Sequence, residues 1–208
     1  MATRVRWFVL ALVLAGSVAA VVVSRRTTPD SIGTAAGTAP AEVTTESDLP
    51  ILGTGPAPSI DAAHSWLNTA PLAGAESTAG KVVLYDFWTF GCINCKHTLP
   101  YVKAWQERYA RDGLLIVSIH TPEFGYEADP ANVAAFVAEN AITYPVALDP
   151  EKKIWRAWDN HYWPAFYLYD AQGRLRLQHF GEGGYERRED AIRVLLGVDP
   201  ASPRAVVS

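Results

Sequence analysis

The segment that decides the fold is "VVLYDFWTFGCINCKHTLPYVKAWQERY", residues 82–109. It opens with a nearly continuous apolar and aromatic run, residues 82–88, which is typical of a buried strand. Across residues 92–109, apolar side chains recur at helical spacing and predict a helix that ends before Gly113. The two cysteines of the chain therefore lie where a predicted strand ends and a predicted helix begins.

The following residues continue this alternation of strands and helices. Asp followed by Pro caps a helix and fits its first turn, so two such pairs predict helix starts. The predicted order is β-α-β-α-β-α-β-β-α, which indicates an α/β sandwich with a mixed central sheet flanked by helices. The later helices are predicted at 129–140, 149–158 and 185–196, and the later strands at 114–120, 144–149, 165–169 and 174–180.

The N-terminal segment differs from the rest of the chain. Arginines flank an uncharged apolar run at residues 7–23, the pattern of a membrane-anchor helix or of a cleaved signal peptide. We favour the uncleaved signal anchor because the apolar run continues past the small residues at 17–20 and ends in two arginines. Either interpretation places the remaining chain outside the cytoplasm, as a membrane-anchored protein or as a secreted or periplasmic one.

Composition divides the chain into four predicted segments. The sequence has 49% hydrophobic residues and a net charge of −4, which fits one globular core and gives no reason to expect nucleic-acid binding. A stretch rich in Thr, Ala and Pro cannot bury a core and predicts a flexible linker. The segments are the signal anchor or signal peptide 1–26, the linker 27–56, the globular domain 57–197 and the C-terminal tail 198–208.

Two cysteines at C-x-x-C spacing have four common uses. A structural zinc site needs four ligands and the chain has no second C-x-x-C, while a haem-attachment signal needs His where Lys96 stands. A structural disulfide across so short a loop constrains the unfolded chain little. A redox pair is favoured, because a helix N-terminus stabilises a thiolate at Cys92 and Cys95 lies one turn further along.

Several motifs in one order resemble the thioredoxin superfamily. The similarity includes residues 86–88, the pair at 92–96, Pro100 and the order of elements over about 57–197. Within the superfamily, "FWTFGCINC", "HTPEF", "YWPAFYLYD" and "HFGEGGYE" resemble the TlpA-like branch, and most of all the thioredoxin-like domain of the DipZ type of membrane-linked thiol–disulfide oxidoreductase. Gly91 differs from the tryptophan of thioredoxin itself. The resemblance implies a thioredoxin-like fold.

The resemblance also implies catalytic roles. Cys92 is the expected nucleophile and Cys95 the resolving thiol. Asp86 matches a buried acid that exchanges a proton with Cys95, since a desolvated carboxylate has a raised pKa. Glu123 is the candidate for an acidic residue that this branch places near the pair. The alternatives are a merely structural Asp86 and a solvated loop glutamate at Glu123.

The expected substrate-binding residues are Trp163, Pro164, Ile93 and Asn94. Trp163 and Pro164 match a loop whose proline is cis and faces the disulfide, where backbone groups can bind an extended substrate chain. Ile93 and Asn94 lie between the cysteines. His120, at the end of a predicted strand, is interpreted as a packed side chain rather than a catalyst.

The sequence therefore predicts an extracytoplasmic thiol–disulfide oxidoreductase that uses no organic cofactor and no metal. Its expected partners are protein disulfides, in cytochrome c maturation among other settings, and a membrane-embedded electron donor. One alternative is a peroxide-reducing redoxin, since Thr89-x-x-Cys92 fits the T/S-x-x-C spacing of such enzymes. The other is a copper-binding or copper-delivery module that uses both thiolates and a histidine such as His120 or His161.

Overall fold

The structure, a computed structural model, describes residues 43–208. The predicted signal anchor or signal peptide, 1–26, and the linker up to residue 42 lie outside these described residues. Between residues 43 and 208, no helix combines the length and the apolar character that a membrane crossing requires.

The described residues form one six-stranded sheet flanked by four α-helices. The strands are β1 (Ser65–Leu67), β2 (Val82–Trp88), β3 (Leu114–His120), β4 (Val146–Leu148), β5 (Ala165–Tyr169) and β6 (Leu175–Phe180). The helices are α1 (Ile93–Tyr109), α2 (Pro130–Glu139), α3 (Lys153–Ala157) and α4 (Tyr185–Leu196).

The sheet is mixed and has the order β1-β4-β3-β2-β5-β6. β2 runs parallel to β3 and β3 runs parallel to β4, whereas β5 pairs antiparallel with β2. β1 and β6 are antiparallel strands at the two edges. The predicted α/β architecture, with parallel strands joined by crossover helices and a late hairpin, is confirmed.

Strand β2 lies at the centre of the sheet and contributes side chains to the hydrophobic core on each of its two faces. Side chains alternate between the two faces of a strand, so Leu84 packs with α1, α2 and α4 while Val83, Tyr85 and Phe87 pack on the side of α3. Asp86 has the same parity as Leu84. The strand therefore directs this carboxylate toward the face that α1 covers.

Two elements differ from the prediction. Strand β1 was not predicted, because its three residues are too few to show a periodic pattern. Helix α3 begins at Lys153 rather than at the predicted start 149–150. Lys152 occupies the N-cap position, but the Asp149 carboxylate accepts hydrogen bonds from the N–H groups of Lys153, Ile154 and Trp155 across an intervening turn.

The folded chain begins before the predicted domain boundary. In the described part of the predicted linker 27–56, Val43 and Leu49 are 5% and 3% exposed and belong to the core. The Glu46 carboxylate lies 2.7 Å from the Arg176 guanidinium. Composition alone suggested a linker here, but a few buried apolar and charged contacts are enough to fix an irregular segment.

The C-terminal tail, residues 198–208, is also bound to the domain. The Ala205 N–H donates a hydrogen bond to the Glu189 carboxylate at 2.7 Å. Arg193 of α4 donates hydrogen bonds to the tail carbonyl oxygens of Asp199, Pro200, Ser202 and Pro203.

We expect Leu49→Ala to lower the free energy of unfolding by about 3 kcal/mol, because it removes buried apolar surface and leaves a cavity. The matched control is Ile51→Ala, two residues away and 50% exposed, which should change it by less than about 0.5 kcal/mol. Urea unfolding of the two variants measures the difference. Equal losses would mean that this segment does not pack as the structure shows.

Candidate active site

The loop between β2 and α1 brings Cys92 to the surface. Its Sγ atom caps the helix by accepting a hydrogen bond from the Cys95 N–H at 3.4 Å. The Cys92 N–H in turn donates to the Thr89 carbonyl at 3.3 Å, which closes the turn. Because Cys92 is only half-buried, its sulfur combines access from solvent with the partial positive charge of a helix N-terminus.

Cys95 lies one turn inside the helix and is 3% exposed. Both cysteines are free thiols. Burial is the main cause that raises the pKa of the Cys95 thiol, and the neighbouring Cys92 and Asp86 raise it further. Cys95 therefore stays a neutral thiol until a base removes its proton.

Asp86 is a base that faces α1 from the sheet. It is 5% exposed, and its Oδ2 atom accepts a hydrogen bond from the Ser118 hydroxyl at 3.4 Å. Its Oδ1 atom has no hydrogen-bond partner among the described residues. Burial raises the pKa of Asp86 to about 7, although the charge of Arg188 and the Ser118 hydrogen bond act to lower it. A carboxyl group that titrates near neutrality suits proton exchange.

Arg188 is the positive charge that acts on this carboxyl group. Asp86 stands opposite Phe166 in the β2–β5 pairing, and Phe166 stands opposite His179 in the β5–β6 pairing, so the three side chains share one face. The Arg188 guanidinium is fully buried and lies 4.1 Å from the centre of the Phe166 ring. It therefore sits over the middle of this row.

The Trp163–Pro164 loop lies against Cys92. Its peptide bond is cis, as the family resemblance implies. The Trp163 carbonyl oxygen is 4.0 Å from the Cys92 sulfur. The Trp163 ring is held by a hydrogen bond from Nε1 to the Thr121 carbonyl at 2.9 Å and by stacking on Trp155 at 4.1 Å. The structure thus brings Trp163, one of the predicted substrate-binding residues, together with Cys92.

The other two predicted substrate-binding residues lie at the surface. Ile93 is 61% exposed, and Asn94 is exposed beside it. Next to the cis-proline loop, Tyr162 and Phe180 are also exposed, and their ring centres are 4.9 Å apart. Apolar side chains are therefore exposed both at the start of α1 and beside the loop that contacts the reactive sulfur.

Glu127, rather than Glu123, is the acid bound to the active-site loop. The Glu127 carboxylate is fully buried and accepts hydrogen bonds from the backbone N–H groups of Gly91, Glu123 and Phe124, at 2.6 to 2.8 Å. The Glu123 side chain is exposed. In this cluster Glu123 contributes a backbone N–H and Glu127 the carboxylate, and the catalytic role of the Glu123 side chain stays a prediction.

The position before the nucleophile has a steric reason to be glycine. A Cβ atom at Gly91 would overlap the Glu127 carboxylate and come within 2.6 Å of the Tyr126 hydroxyl. The difference from the tryptophan of thioredoxin therefore follows from the side chains that this chain places beside the loop.

His120 supports the same loop from behind. It is 1% exposed, and burial lowers its pKa to about 4, so the ring is neutral at neutral pH. Its Nε2 atom lies 3.3 Å from the Thr89 hydroxyl and 3.4 Å from the Phe90 backbone nitrogen. His120 is thus packed as expected, and the Thr89 hydroxyl contacts its ring.

The copper alternative receives little support from these positions. Between residues 43 and 208, no three His, Cys, Asp or Glu side chains gather closely enough to hold a metal ion. His161 is exposed, and its Nε2 atom lies 3.1 Å from the Asp159 carboxylate.

Sequence reasoning missed Glu127 and Arg188, although each has a local signal. Glu127 is in the first turn of a 3₁₀ helix, where acidic residues bind free N–H groups. Arg188 is three and four residues before Ala191 and Ile192, which are buried on the inner face of α4. That spacing places Arg188 on the same face.

Comparisons with known proteins agree with this geometry. The chain is 44% identical over 145 residues to protein DipZ of Mycobacterium tuberculosis, an alignment of 68% of this chain and 21% of DipZ, so it spans about a fifth of that relative. It is 33% identical over 129 residues to thiol-disulfide oxidoreductase YkuV of Bacillus subtilis, covering 62% of this chain and 84% of YkuV.

A solved structure and a family profile complete the comparison. The solution structure of a thioredoxin-like protein in the oxidized form superposes with a TM-score of 0.62 at 31% identity, covering 68% of this chain and 95% of that protein. The profile of the AhpC/TSA family matches residues 56–178. The chain therefore belongs to the AhpC/TSA family and carries a thioredoxin-superfamily domain of the TlpA-like branch.

Proposed function

We propose that the protein is a thiol–disulfide oxidoreductase in which Cys92 and Cys95 carry two electrons and no organic cofactor takes part. One observation carries the proposal. A half-buried sulfur caps a helix, and a buried thiol one turn further on interacts electrostatically with a buried carboxyl group, Asp86, whose pKa burial raises to about 7. Similarity to a relative named as a thiol-disulfide oxidoreductase supports the same activity.

In the first step, the Cys92 thiolate attacks one sulfur of a substrate disulfide. A mixed disulfide forms between Cys92 and the substrate, and the other substrate sulfur leaves as a thiolate. The Trp163 carbonyl beside the Cys92 sulfur and the exposed Ile93 side chain offer a polar and an apolar contact to an extended protein segment.

In the second step, Cys95 resolves the mixed disulfide. Asp86 accepts the proton of the Cys95 thiol, and the resulting thiolate attacks the Cys92 sulfur. The second substrate sulfur leaves as a thiolate and takes up a proton from solvent, while Asp86 releases the proton it accepted. The substrate thus gains two electrons and the Cys92–Cys95 disulfide forms. A dithiol donor then returns two electrons to the pair.

We further propose that the domain works outside the cytoplasm and reduces protein disulfides there, including those formed during cytochrome c maturation. The apolar run at residues 7–23, flanked by arginines, supports a membrane anchor. A membrane-embedded protein is the expected electron donor. The resemblance to the TlpA-like branch supports the direction of electron flow.

We expect Cys92→Ser to abolish reduction of insulin disulfides, because the attacking sulfur is gone. Cys95→Ser should retain the first step and accumulate a mixed disulfide that mass spectrometry detects. Arg111→Ala, an exposed change in the turn that follows α1, is the control and should keep full activity. Consumption of hydrogen peroxide that outpaces insulin reduction would instead favour a peroxide-reducing enzyme.

We expect the single-turnover rate of the second step to rise with pH through about 7, since only the ionised carboxylate of Asp86 accepts the Cys95 proton. Asp86→Asn should slow this step about 100-fold at pH 7 and remove the inflection.

The matched control for Asp86 is Ser118→Ala. The Ser118 hydrogen bond lowers the pKa of Asp86, so its loss should move the inflection to higher pH and leave the rate above it unchanged. An inflection that stays near pH 7 in Asp86→Asn would show that another group titrates.

We expect Glu127→Ala to lower the free energy of unfolding by about 3 kcal/mol, because it leaves three backbone N–H groups without their acceptor. Insulin reduction should fall at least tenfold, since one of these N–H groups belongs to the residue before Cys92. Glu123→Ala is the control and should change neither quantity. If Glu123→Ala lowered stability and insulin reduction while Glu127→Ala changed neither, Glu123 would be the acid of the site.

A further inference from the structure

A small cavity lies between β6, the start of α4 and the segment that precedes β1. Its volume is about 170 Å³. Among the described residues, none of those lining it is acidic. Its nitrogen-bearing side chains are Arg176, Gln178, His179, Arg187 and Arg188.

Unsatisfied hydrogen-bond donors concentrate at this cavity. In the described part of the chain, eight buried side-chain nitrogen or oxygen atoms have no hydrogen-bond partner. Four of them belong to lining residues, namely Arg176 Nε, His179 Nε2, and Nε and Nη1 of Arg188. A guanidinium has donors only, so the three arginine atoms require an acceptor. Arg176 and Arg188 are 3% and 1% exposed, which keeps bulk water from serving them.

The positive charge of Arg176 is balanced within the protein. Its guanidinium lies 3.0 Å from the Asp170 carboxylate and 2.7 Å from that of Glu46. No described carboxylate forms an ion pair with Arg187 or Arg188. Arg188 interacts electrostatically with Asp86, so the positive charge at the cavity that has no carboxylate partner among the described residues is that of Arg187.

The pKa of His179, which lines the cavity, responds to the same positive charges. The pKa of His179 is lowered first by burial and then by the positive charges of Arg188 and Arg187, while the carbonyl groups of Gly181 and Glu182 oppose this. The positive charges of Arg188 and Arg187 disfavour protonation of the His179 ring. The same charges favour an anion beside it.

The N-terminus of α4 adds donors to the same place. Its capping residue, Gly184, lines the cavity and provides no side chain to bind the free N–H groups of the first turn. The partial positive charge at the start of this twelve-residue helix has the same sign as that of the arginines.

We propose that this cavity binds a small oxyanion of the phosphate or sulfate class. The buried N–H donors of Arg176 and Arg188 are the inner contacts, and the exposed Arg187 is the outer one. Guanidinium groups match tetrahedral oxyanions in charge and in donor geometry. The site lies outside the cysteine pair, although its Arg188 is also the positive charge that acts on Asp86.

The test is isothermal titration calorimetry of the full chain at low ionic strength with sodium phosphate, sodium sulfate and, as the charge control, sodium chloride. We expect saturable binding of phosphate and sulfate but not of chloride. Chemical shifts of the His179 ring should move with the same titration midpoint, which locates the anion at this cavity.

Variants separate a specific site from general attraction. Arg187→Ala changes an exposed residue and should weaken phosphate binding at least tenfold, whereas Arg111→Ala, also at an exposed position, should leave it unchanged. Arg188→Met should abolish binding while circular dichroism confirms a folded protein. If Arg188→Met does not fold, the comparison of Arg187→Ala with Arg111→Ala decides.

Titration with glycerol 3-phosphate distinguishes a free ion from the phosphate group of a larger molecule. Tighter binding of the ester supports the site and assigns it to a terminal phosphate group, and weaker binding supports it and assigns it to the free ion. The proposal is overturned if phosphate and sulfate do not saturate the protein, or if both exposed arginine variants bind phosphate equally.

Discussion

Burial of one carboxyl group beneath a helix N-terminus is the constraint on which the candidate site depends. Asp86 faces α1 because strand β2 alternates its side chains, and the same strand ends where the cysteine loop begins. Desolvation raises the pKa of Asp86 to about 7, and the positive charge of Arg188 limits that rise. Cys92 and Cys95 thus differ in access to solvent although they belong to one turn of one helix.

Most of the fold could be predicted because its central elements have strong local patterns. The apolar run of β2, the helical spacing of α1 and the glycine after α4 each specify an element without reference to the rest of the chain. The redox function of the cysteine pair could also be predicted from the sequence, since a C-x-x-C between a strand and a helix has few uses. Family resemblance, rather than any local pattern, supplied the roles of Asp86 and Pro164.

The rest depends on contacts between residues distant in sequence. β1 exists because three residues find a partner in β4, and the segment around Leu49 is ordered because the core has room for it. Glu123 was chosen from a motif, yet the loop turns so that Glu127 is buried instead. A buried arginine also looks like any surface arginine until the neighbouring helix face is known.

The contact between Gly91 and Glu127 restricts how the chain can change over evolution. A side chain at position 91 requires the space that the Glu127 carboxylate fills, and a shorter residue at 127 deprives the Gly91 N–H of its acceptor. The two positions are 36 residues apart in the sequence, yet each restricts which residues the other can hold. Among descendants of this chain, substitutions at the two positions should therefore occur together, so that an alignment reveals this contact as covariation.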